Sequence, residues 1–75
     1  MKASEYKAAR EALGWTHARL ARVIGVSERT PYRYAEGEAI PEPVARLLVT
    51  LVWARLTTST RRFNELVNEL ERRHG

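Results

Sequence analysis

Apolar residues return at spacings of three and four along most of this 75-residue chain, and glycines at 14, 25 and 37 each close one such run. That pattern predicts an all-α fold of four or five helices, with glycine at the helix-ending positions. The first helix is expected over residues 4–13, with Ser4 as its cap and Tyr6, Ala9 and Leu13 on its inner face. In the second, Thr16 is placed to cap, and Trp15 to pack on Leu20 as a hydrophobic staple. His17, Leu20, Ala21 and Ile24 share one face, where the small Ala21 lets another helix cross closely. Gly25 stops this helix and Val26 turns back to the core. Ser27 is expected to cap a third helix over 28–36, with Val26 and Pro31 repeating the staple spacing. Two helices joined by so short a corner must cross steeply, which is the geometry of a helix-turn-helix.

Residues 38–43, with Pro41 and Pro43, read as a loop whose Ile40 plugs the core. A fourth helix over 43–56 carries Val44, Leu47, Leu48 and Leu51 at core spacing, and Val49, Val52, Trp53 and Leu56 on the adjoining arc. Apolar over roughly two-thirds of its circumference, it is too wide for one neighbour, since a surface helix needs a stripe of about 100°. The run Thr-Thr-Ser-Thr at 57–60 is a poor helix interior, so a break is expected there, with one continuous helix as the alternative. A fifth helix over 61–73, capped by Ser59 or Thr60, offers Phe63, Leu66, Val67 and Leu70 as a narrow stripe. It either covers Trp53 within the chain or joins the fourth helix in a two-fold interface, and periodicity leaves both open. The division is therefore 1–57, containing the helix-turn-helix, and 58–75, a packing or dimerisation extension of the same domain.

Composition narrows the function classes. A chain this short holds one core, near the size at which a single core is marginal, so dimerisation would help it. It has no cysteine, and His17 and His74 are isolated, so no metal site, disulfide or cofactor is expected. No apolar run reaches membrane length and the first residues lack the apolar core of a signal peptide, so a cytoplasmic protein without a membrane partner is expected. The formal charge is +4. Residues 15–37 carry four arginines against two glutamates, and 55–75 five against three. Such an excess permits nucleic-acid binding without proving it. Arg29 and Arg33 say more, because like charges four apart on a helix cost a few tenths of a kcal/mol unless an anion meets them. The plain alternative is that Glu36 neutralises the pair on a solvated face.

With Leu20-Ala21, the corner Gly25-Val26-Ser27 and Gly37 in register, the chain resembles the phage-repressor, Cro-like helix-turn-helix family over about residues 7–51. The resemblance implies a compact lambda-repressor-like DNA-binding domain. In that family the first motif helix crosses the DNA backbone while the second places its early residues in the major groove. Carried over by position, Glu28, Arg29, Arg33 and Tyr32 become base-facing, and Thr16, His17, Ser27 and Thr30 become backbone contacts. Arg29 or Arg33 suits guanine N7 and O6, and Glu28 a cytosine amine. Plainer roles exist: Glu28 complements the helix dipole, Thr30 faces the helix backbone, and Tyr32 packs on a neighbouring loop. The chain departs from the family at three places. His17 replaces a common glutamine, and a His titrating near neutral pH would weaken DNA binding as pH rises. Pro31 stands at a common β-branched position and stiffens the first turn. Ala35 replaces a glutamate that pairs with helix one, so Arg10 must find Glu36, Glu11, solvent or phosphate.

The leading expectation is a sequence-specific transcriptional regulator, a repressor acting as a homodimer on pseudo-palindromic double-stranded DNA. The alternative from another class is a protein-interaction module, an antitoxin or adaptor, that binds a protein partner. For either dimer or partner the expected surface is Val49, Trp53, Phe63, Leu66, Val67 and Leu70. An enzyme is not expected, because no paired carboxylates, nucleophile–base pair or glycine-rich phosphate loop occurs, so no catalytic residue is assigned.

Overall fold

The computed structural model describes residues 1–74, and among them all regular structure is helical: α1 Ala3–Leu13, α2 His17–Ile24, α3 Thr30–Ala35, α4 Glu42–Thr57 and α5 Thr60–His74. The start of α1 differs from expectation. Its cap is Lys2, whose backbone N–H donates to Glu5 Oε1 at 2.8 Å, and Ser4 lies inside the helix, exposed. Glutamate at the third helical position reaches back to the free Lys2 N–H, which is the carboxylate half of a capping box and starts the helix before Ser4. Thr16 does cap α2, its hydroxyl accepting from the Arg19 N–H at 3.1 Å. Gly25, at φ 77°, ends that helix in the left-handed conformation by donating to the Ala21 carbonyl, where a Cβ would be strained.

Tyr6 and Leu13 from α1, Leu20, Val23 and Ile24 from α2, and Tyr34 from α3 meet Leu48 and Leu51 of α4 and Phe63 and Val67 of α5 in one core. α1 lies against α3 and α4, while α2 lies against α3 and α5. Ala21, 1% exposed, is the small residue at the crowded face of α2. Ile40 fills the edge of the core from the loop before α4.

The expected break falls at Thr58, whose backbone turns extended (φ −119°, ψ 169°). Thr57 and Thr58 donate their hydroxyls back to the Trp53 and Ala54 carbonyls, the latter also accepting the Thr58 N–H at 3.0 Å, local side-chain bonds that compete with a continuing helix. Ser59 then caps α5 by accepting from the Arg62 N–H at 3.2 Å. So redirected, α5 runs to α2 and leaves Trp53 bare. It covers the other tryptophan: Phe63 stacks on Trp15 with ring centroids 6.0 Å apart, and Arg55 of α4 lies over the Phe63 ring at 5.7 Å. Trp15 thus closes on α5 and packs at the edge of the core. Arg19 of α2 and Glu71 of α5 are ion-paired at 2.6 Å across the same contact.

The surface expected for a dimer or partner divides accordingly. Phe63 and Val67, 3% and 2% exposed, are core residues of their own chain and not part of an outer surface, and Leu70 is half-buried. Val49 and Trp53 stay exposed, joined by Leu56 on the same stripe of α4, and Leu66 is exposed on α5.

Candidate nucleic-acid interface

The third helix is shorter than its hydrophobic pattern suggests. Glu28 and Arg29 belong to a turn, and the helix proper is the six residues of α3. The Thr30 N–H donates to the Ser27 backbone carbonyl at 3.0 Å, and Pro31 has no N–H to offer. The Ser27 hydroxyl pairs with the Thr30 hydroxyl at 3.1 Å and accepts no main-chain N–H, so Ser27 braces the corner and does not cap. Pro31 is buried beneath this turn.

Arg29 and Arg33 nevertheless keep the helical relation. Arg29 is in the right-handed helical region and its carbonyl accepts from the Arg33 N–H at 3.3 Å, which stacks the two residues one turn apart. Both are exposed. Among the described residues neither has a carboxylate within 4.0 Å, so the expected alternative of Glu36 neutralising them is not realised. Arg19, Arg46, Arg61, Arg72 and Arg73 each hold a glutamate, whereas Arg22 and Arg62 are exposed without one, as Arg29 and Arg33 are; what sets the last two apart is that they stand one turn from each other. Glu28 is exposed at the start of the turn.

Beside this element, α1, α2 and α3 bring four rings together. Tyr6 is fully buried, its ring edge-on to Tyr34 at 5.9 Å and parallel to His17 at 6.1 Å. The Tyr6 hydroxyl and His17 Nδ1 are 3.0 Å apart. Burial raises the pKa of the phenol above 10.0, so it holds its proton. That proton needs an acceptor, so Tyr6 O–H donates to Nδ1 and the imidazole carries its own hydrogen on Nε2. Burial, then the nearby Arg10 charge, lower the His17 pKa from 6.5. The ring is neutral at pH 7, and the expected loss of a His17 charge with rising pH near neutrality does not apply. Tyr32, 56% exposed, leans on the His17 ring at 4.3 Å and ties α3 to the start of α2.

Arg10 pairs with neither Glu36 nor Glu11. Its Nη1 donates to the Trp15 main-chain carbonyl at 2.9 Å, binding the end of α1 to the approach of α2. No spacing rule could have found this, because a backbone acceptor has no residue type. The structure thus gathers His17, Tyr32, Arg29 and Arg33 on the two motif helices and the turn before α3, with the exposed Thr16 at the head of α2. Thr30 is half-buried and held by Ser27.

Among the described residues no three His, Cys, Asp or Glu side chains converge as metal ligands, and no helix is long and apolar enough to cross a membrane. Comparison of the chain with protein-family models, with curated proteins and with solved structures finds no match.

Proposed function

We propose that this chain is a sequence-specific DNA-binding regulator of the lambda-repressor-like kind, a repressor that acts as a dimer by occupying a promoter. One observation carries the reading: Arg29, in the turn that leads into α3, and Arg33, on α3, are stacked one turn apart, exposed and without a carboxylate within 4.0 Å, at a tight helix-turn-helix corner. Folding gains nothing from that pairing, whereas a duplex offers both phosphates and the guanine N7 and O6 atoms that an arginine fork fits. Arg33 and Arg29 are assigned to base edges, with Glu28 against a cytosine amine and Tyr32 at the margin. Thr16, His17, Ser27 and Thr30 are assigned to the phosphate backbone, His17 through its neutral Nε2–H.

Selection of bound duplexes from a random library tests this. A two-fold motif with half-sites about one helical turn apart is the expected product. Recovery of unrelated sequences, bound weakly and with steep salt dependence, would reduce the arginines to nonspecific phosphate contacts and remove the repressor reading.

A further inference from the structure

Among the described residues the three most exposed large apolar side chains stand together. Val49, Trp53 and Leu56, 59%, 67% and 75% exposed, follow Glu42 and Arg46 along one stripe of α4, at spacings of four and three. These three present on the order of 400 Å² of apolar surface, the size of an interaction patch and not of scattered surface residues. The groove between α1 and α4 runs beside them, and Val49 divides it. On one side Met1, Glu5, Glu42, Ala45, Arg46 and Thr50 line an open recess in which Met1 is the one large apolar side chain besides Val49. On the other, Ala8 and Ala12 of α1 form a low floor beneath the projecting Trp53 and Leu56.

We infer that this face is a two-fold interface between two copies of the chain, with α4 crossing α4 antiparallel about Val49. Projection and recess lie at matching distances from Val49: Trp53 is four residues on, Ala45 four back and Arg46 three back, about 6 Å either way along the axis. An antiparallel crossing therefore seats each Trp53 in the other copy's recess. Possession of both halves by one surface is what an isologous contact requires, and a foreign partner would have no need of the recess. The charges agree, since Arg46 at the recess is placed to cover the incoming indole ring and Glu42 and Glu5 to accept its N–H. Met1, the alanine floor and the stems of Glu42 and Arg46 extend the face beyond Val49, Trp53 and Leu56, which alone make up about half of the ~800 Å² per partner of a standard interface. This deepens the dimeric half of the proposed function and is independent of the DNA-binding half.

The chain has no cysteine, so a single introduced thiol reports on its own position. Val49→Cys, at the axis, is expected to oxidise to a disulfide-linked dimer in the absence of DNA, at least about tenfold faster than Leu66→Cys on α5. In sedimentation the unmodified chain is expected to be a dimer at about 100 μM, and Trp53→Ala to weaken association at least about tenfold. Because Trp53 is two-thirds exposed, the circular dichroism of Trp53→Ala should stay that of the folded helical chain. A monomeric unmodified chain, faster linkage through Leu66→Cys, or a Trp53→Ala chain that dimerises undiminished would each overturn the interface. Half-site DNA binding by a monomeric Trp53→Ala chain would leave the DNA reading standing, so the two failures are distinguishable.

Discussion

His17 shows how a residue can serve fold and site together. Its Nδ1 takes the Tyr6 proton, its ring face meets Tyr32, and burial and Arg10 keep it neutral. The folded pKa lies below the ordinary 6.5, so below that pH the unfolded chain takes up a proton that the folded chain resists. The stability that His17 contributes is thus present above about pH 6.5 and is lost as pH falls toward the folded value. Unfolding by urea at about pH 7.5 and about pH 5.5 should show the chain weakening at the lower pH, and His17→Gln, which keeps an acceptor for Tyr6 but cannot titrate, weakening less. Equal losses in the two proteins would mean that His17 is not held neutral. At this scale the caps at Thr16 and Ser59 were legible from residue type alone, because a hydroxyl before a helix has one habitual task. Ser27 departs from that habit: its hydroxyl meets the Thr30 hydroxyl, while the Thr30 N–H goes to the Ser27 main-chain carbonyl, and residue type alone does not distinguish that arrangement from a cap.

Helices α1, α2, α4 and α5 follow from apolar spacing and punctuation, with ends within a residue or two of those read from sequence. The shorter α3 and the destination of α5 did not follow, for different reasons. Turn and helix share right-handed geometry around Arg29, so spacing does not separate them. Periodicity shows which face of α5 is apolar but is silent on whether Trp15 or Trp53 lies opposite. With Trp15 on one side and Arg55 on the other, Phe63 is the anchor of α5. Phe63→Ala should cost ~3–5 kcal/mol, a large share of the stability of a domain this small, and release α5 from α2. Leu66→Ala on the same helix should cost far less, since Leu66 is 38% exposed. Denaturant titration of both variants checks this, and similar losses would show that α5 is not anchored through Phe63.

Taken whole, the molecule spends its ion pairs away from the corner: α5 carries them within itself and to α2, and α4 within its first turns. The basic groups left open include the two arginines of the α3 element, which the like-charge spacing had already singled out. Their lack of a carboxylate is a property of the folded arrangement, since Glu36 lies three residues from Arg33 and could have paired with it. The central claim is that these arginines read a sequence and do not merely attract a polyanion. The affinity of the best selected duplex against a scrambled one, for the unmodified chain and for Arg33→Ala at several salt concentrations, tests it most directly. Discrimination of about a thousandfold or more is expected, which Arg33→Ala relaxes by a factor corresponding to about 1–3 kcal/mol. Binding that falls equally on both duplexes, with only the salt slope reduced by about one, would contradict it.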